Sequence, residues 1–298
     1  LLSIASDLSA GKRAEPPADL ISAQGDVVRR LWPSDPAFAA QLVTLPGVGE
    51  LFMEMTPADP GALFEAKALW RAELYKALEK EILHGIDAQQ TDETGFDPGA
   101  EAAGKRALYA AFLDLMSTQD TSGPILLDAF NAAQNMTDTM SALRALSYLG
   151  GSQYHQALDL FEAKWSDHPL VMDKWFGVQA MRPSADAISD VRNLLQHKDF
   201  DWTNPNRVRS VAAAFAMGNH VAFHAGNGEG YELLRDVIEK VDPINGALAA
   251  RLLTAFEQWR RVDATRQEHA KRALEHLAEC DLSKNARDII SRALGKTD

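Results

Sequence analysis

The chain has 298 residues, 46% of them hydrophobic and 24% charged, a length that suffices for one large or two medium domains with a sizeable core. Its net charge of −12 excludes the basic stripe of a nucleic-acid footprint and disfavours anionic membranes. No apolar run approaches the ~20 residues that cross a bilayer, and the one cysteine, Cys280, excludes an internal disulfide and any cysteine-rich zinc site.

Taken in order, the opening LLSIASDLSAGKR lacks a basic n-region and a cleavage site, so it is not read as a signal peptide. It also lacks an initiator Met, and the expectation is a piece of a longer protein. Residues 1–60 look irregular, with Pro46-Gly47 and the run Thr56 to Pro60 as breaks. From Pro60 the spacing of Leu63, Phe64, Leu69, Trp70, Leu74, Leu78 and Ile82 predicts a helix, opened by Asp59 and closed by Gly85. A polar loop, DAQQTDETGFDPGAE, is expected before a helix around Lys105 to Met116. No segment alternates like a strand, so the chain is expected to be all-α.

The C-terminal half reads as helix pairs. Starts are expected at Ser152, Ser184 (as N-cap), Glu229 and Asp263. Two of their intervals lie close to the ~34-residue period of stacked helix hairpins. The third is longer and holds Asp201 to Tyr231, whose surplus residues are expected to form an inserted loop. The predicted architecture is one superhelical domain over 1–298, an armadillo/HEAT-like solenoid of antiparallel helix pairs, regular over 152–298. Such arrays build concave binding surfaces.

The stretch DWTNPNRVRSVAAAFAMGNHVAFHAGNGEGY carries the candidate site. Asn204-Pro205 signals a helix start, which places Arg207 and Arg209 in the first turns. Cations there oppose the helix dipole at ~0.3–1 kcal/mol each. Both arginines therefore need partners: a carboxylate, carbonyl oxygens or the anionic end of a ligand. His220 and His224 have the i,i+4 spacing of a zinc pair, but the Glu of H-E-x-x-H is missing. His224 is expected to hydrogen-bond loop backbone instead.

Trp165, Leu170, Trp175 and Phe176 are expected in the core. Arg260, Arg261, Arg266, Lys271 and Arg272 interleave with Asp263, Glu268 and Glu275, which reads as a salt-bridged surface. Cys280 is expected as a half-buried thiol at a helix end. No phosphate loop, G-x-S-x-G elbow or H-E-x-x-H is present. No catalytic residue and no metal site is assigned to these residues.

The phrases DKWF, NPNRVRS and AFHAGNGEGY, in this order, together with the ending RRVDATRQEHAKRALEHLAECDLSKNARDIISRAL, resemble the C-terminal region of bacterial aminopeptidase N, the zinc-dependent alanyl aminopeptidase family. The resemblance is strongest from about Tyr148 onward. It implies the last, all-helical domain of a larger cytoplasmic enzyme, one that covers the catalytic domain and restricts access to an internal chamber. The zinc ligands, the general base and the motif holding the substrate amino group would lie upstream, so this chain would hold no zinc and have no peptidase activity by itself. By motif position the resemblance assigns Arg209 in NPNRVRS and Arg251 in GALAARLL to the substrate channel, with Arg207 as their neighbour. Implied partners are the other domains of the same polypeptide and peptide substrates, with neither nucleic acid nor membrane. The rival expectation is a free-standing helical-repeat module whose concave face binds a protein.

Overall fold

The computed structural model describes residues 1–90, 96–184 and 186–295. The opening sixty residues hold four helices: α1 (Leu2–Ser9), α2 (Ala18–Leu31), α3 (Pro36–Val43) and α4 (Val48–Glu54). Next come α5 (Pro60–Gln90), α6 (Ala100–Met116), α7 (Gly123–Ala132), α8 (Met136–Leu149) and α9 (Gly151–Trp165). Then follow α10 (Pro169–Ala180), α11 (Ala187–Leu194), α12 (Pro205–Val208), α13 (Ala214–Gly218) and α14 (His220–Phe223). The chain continues through α15 (Glu229–Val241), α16 (Gly246–Leu253), α17 (Ala264–Glu279) and α18 (Lys284–Leu294). Among the described residues there is no strand, only an isolated bridge between Ala58 and Val262. The all-α expectation holds.

Local chemistry sets many of these boundaries. Asp35, Asn135 and Asn245 each accept a backbone N–H three residues on, at 3.0 Å, and so satisfy a donor that the helix start leaves orphaned. Asp263 does the same for Thr265 and Arg266, as its position before α17 suggested. Ser184 does not cap α11, which starts later, after Asp186. Gly85 does not end α5. The helix runs past it to Gln90, and a Cβ at Gly85 would lie 2.7 Å from the Phe112 ring of α6. That glycine is present for close helix approach, which the sequence of α5 alone does not reveal. Residues 87–90 of the expected polar loop are therefore helical, and 91–95 lie outside the described residues.

Two compact units emerge. The first comprises Leu1–Gly47 and Ala62–Ser166, the second Val48–Gly61 and Asp167–Asp298. In the first, Leu63, Leu74, Leu78 and Ile82 of α5 are completely buried, as is Phe112. Each such side chain contributes roughly 1.5–3 kcal/mol on leaving water. In the second, Phe176, Phe223, Tyr231 and Phe256 are likewise completely buried. The segment 48–61 is held to the second unit by backbone and side chain: Ala58 N–H donates to the Arg261 carbonyl at 2.7 Å, and the Arg261 guanidinium donates to the Met53 carbonyl.

Of the four residues expected in the core, Trp175 and Phe176 are buried, but Trp165 is only half-buried and Leu170 is 73% exposed. Leu170 is the second residue of α10, before the helix has turned its apolar face inward.

Candidate functional site

The Asp201–Tyr231 stretch lies within the second unit. Asn204 opens α12 with its side-chain oxygen accepting from Asn206 N–H at 3.0 Å and Arg207 N–H at 3.3 Å. Pro205 occupies the first helical position. This matches the expected start and places Arg207 third in α12, with Arg209 directly after its end.

The two arginines have different environments. Arg207 is 4% exposed. Its Nε donates to Asp173 Oδ1 at 2.7 Å, its Nη2 to the Pro169 carbonyl at 3.2 Å, and its Nη1 to the Asp199 carbonyl. The guanidinium also sits 4.3 Å from the Phe176 ring centroid. A carboxylate and two carbonyls thus offset the dipole cost, and no face of Arg207 is left for an incoming anion. Its position is structural: it ties α12 to α10.

Arg209, two residues on, is exposed. Its Nη2 reaches only the Asn206 side-chain oxygen, and it has no carboxylate partner among the described residues. It begins a π-helical turn, Arg209–Ala213, between α12 and α13. Single π turns inside α-helices are frequent at functional sites because they re-aim the side chains around them. Arg251, on α16, is also exposed and also has no carboxylate partner among the described residues.

The surplus residues of this stretch are not a loop. They form the π turn, α13 and α14. Asn219 makes the break between the two helices. It is 2% exposed, accepts from Ala222 N–H at 3.2 Å, and donates to the Arg182 carbonyl at 2.7 Å. One side chain thereby caps α14 and satisfies a carbonyl beyond the end of α10.

The histidines belong to an aromatic stack. Phe52 of α4 lies 5.0 Å from the His224 ring and 5.7 Å from the His220 ring, stacked on both. His224 is 3% exposed, and its Nδ1 meets the Tyr231 hydroxyl at 2.7 Å. Its partner is therefore a side chain and not loop backbone; its own carbonyl accepts from Arg266 Nε at 2.6 Å. Burial, with smaller contributions from His220 and Arg266, pushes the His224 pKa down to about 3. Burial also lowers His220, and it raises the Tyr231 phenol. A neutral pair is thus sealed in the core.

These facts limit the chemistry. A general base works best with a pKa near the operating pH, and His224 is far below it. The His220 and His224 rings lie parallel, 6.0 Å apart, and one His224 nitrogen is already engaged, so the pair does not converge on a metal ion. The zinc implied by the family resemblance does not fit these residues. What the stretch does offer is exposed guanidinium at Arg209, a group suited to bidentate binding of carboxylates.

Neither Phe52 nor Tyr231 was identified from the sequence. The signal for Tyr231 was its place at the end of a Gly-rich run, seven residues after His224. Phe52 has no local signal, since it arrives from far along the chain.

Comparison with known proteins gives a consistent result. Residues 1–295 match the family model described as "Domain of unknown function (DUF3458_C) ARM repeats". The chain is 38% identical over 265 residues to aminopeptidase N of Caulobacter vibrioides, covering 88% of this chain and 31% of that protein. It is 35% identical over 263 residues to aminopeptidase N of Escherichia coli, covering 87% and 30%. Among solved structures, Legionella pneumophila aminopeptidase A in complex with aspartic acid superposes with a TM-score of 0.87 at 27% identity, covering 99% of this chain and 36% of that one. The chain thus spans about a third of the length of the relatives it matches.

Proposed function

The chain belongs to the DUF3458_C family of helical ARM-repeat domains and corresponds to the C-terminal helical region of bacterial aminopeptidase N, and from that premise we propose that it is the non-catalytic domain of a zinc aminopeptidase that removes N-terminal residues from peptides. In this role the domain covers the active-site chamber and limits which peptides reach it. Its partners are the other domains of the same polypeptide and the peptide substrates, in the cytoplasm, with neither nucleic acid nor membrane. The zinc and its ligands belong to the upstream domains.

The observation that carries this reading is the contrast between the arginines. Arg207 is spent on Asp173 and two carbonyls, while Arg209 and Arg251 are exposed without carboxylate partners among the described residues. Each such guanidinium is a group that can pair with a peptide's C-terminal carboxylate, while the amino end is held at the distant zinc. Arg207 contributes by fixing the turn from which Arg209 projects. The experiment is direct: the purified chain, supplied with zinc, is incubated with an alanyl amide. No hydrolysis is expected. Hydrolysis that survives repeated purification and scales with the chain's concentration would refute the non-catalytic role.

A further inference from the structure

α15 and α17 pack against each other in the second unit. Glu239 lies near the C-terminal end of α15; His276 occupies the last turn of α17, and Cys280 follows that helix directly. Cys280 lies over that last turn, with its thiol donating to the His276 carbonyl at 3.4 Å. Glu239 reaches across from the other helix, with Oε1 2.9 Å from His276 Nε2. One ligand atom from each residue, a carboxylate oxygen, an imidazole nitrogen and a sulfur, lies within 4.8 Å of the other two.

We propose that Glu239, His276 and Cys280 form a binding site for a borderline-soft divalent cation, zinc in particular, that clips the end of α15 to the end of α17. The donor set gives the chemical class. Sulfur and imidazole discriminate against magnesium and calcium, which take oxygen donors. Three protein ligands of mixed type with a fourth position open to water is a familiar zinc arrangement. His276 is 49% and Glu239 36% exposed at the side chain, so an ion has a path from solvent and room for that water.

The local field favours a cation. Glu239 sets its carboxylate beside His276, and Glu279 precedes Cys280 in the chain. The same carboxylates attract a dication, which displaces the thiol proton: the S–H bond breaks, the S–metal bond forms, and one proton goes to solvent. Arg235 is the competing cation, 3.7 Å from Glu239 Oε1, but its Nη2 is turned to Asp236 at 2.6 Å.

The test uses the chain's one thiol as reporter. After chelation and desalting, the rate of Cys280 alkylation is measured against added zinc, and cobalt is titrated in parallel. One equivalent of zinc should slow alkylation at least tenfold, magnesium should not, and cobalt should give a thiolate-to-metal charge-transfer band. His276→Gln and Glu239→Gln, both at partly exposed positions, should each raise the zinc concentration for half-protection about tenfold or more. Absence of zinc protection and of the cobalt band would overturn the site. Equal zinc protection in both variants would overturn it as well, since it would show zinc capping the thiol alone.

Discussion

Acidification should loosen the second unit through His224 more than through any surface histidine. The ring is neutral and buried, with a pKa of about 3 against an ordinary 6.5. The unfolded chain therefore binds a proton that the folded one refuses between those two values. Stability is fully present above pH 6.5 and is lost as pH falls toward 3. At 1.36 kcal/mol per pH unit, the loss is roughly 2 kcal/mol by pH 5 and about 5 kcal/mol across the whole window. His220, also lowered, adds loss of the same sign. The perturbation is the pair His224→Phe with Tyr231→Phe, which removes the titrating ring without leaving the phenol orphaned. Urea unfolding from pH 7 to pH 4, followed by the hydrogen exchange of residues 220–231, measures the slope. The double variant should lose less stability on acidification than the parent. Equal slopes would refute the assignment of this linkage to His224.

Two further substitutions probe the frame around the candidate site. Arg207→Ala leaves the Asp173 carboxylate, 17% exposed at its side chain, without its partner; the expected loss is ~3 kcal/mol in urea unfolding, and a loss below ~1 kcal/mol would show the pair to be dispensable. Gly230→Ala drives a Cβ into the Phe223 carbonyl oxygen and to 2.6 Å from that of Ala222, so a clash at or above the ~3 kcal/mol end of overpacking should outweigh the ~1 kcal/mol gained in helix propensity, and Tm should fall; a raised Tm would contradict the close approach of α15 to α14.

The parts legible in the sequence were those decided within a few residues. Asn204-Pro205 and Asp263 announced their helices because a cap bonds only to the next turn. The need for Arg207 to find partners followed from the helix dipole, and Asp173 with two carbonyls meets it. What was not legible depended on residues far away in the chain. Gly85 resembles a stop signal until Phe112 is placed beside it. The insertion before Glu229 resembles a loop until Asn219, bonded to the Arg182 carbonyl, turns it into two helices. His224 and Tyr231 meet across a helix break. His220 and His224 share the i,i+4 spacing, but the pair with a third donor beside it is His276 and Cys280, because Glu239 comes from another helix.

The proposed carboxylate-reading role is tested most directly in the full-length aminopeptidase, by comparing Arg209→Ala with the parent on a short peptide and on the same peptide with its C-terminus amidated. An exposed guanidinium–carboxylate pair contributes ~1 kcal/mol, so KM for the free peptide should rise about fivefold with kcat unchanged, and Arg251→Ala should act in the same direction. The amidated peptide, with no carboxylate to read, should be unaffected. An equal rise in KM for both peptides would contradict the role and leave Arg209 as a structural residue.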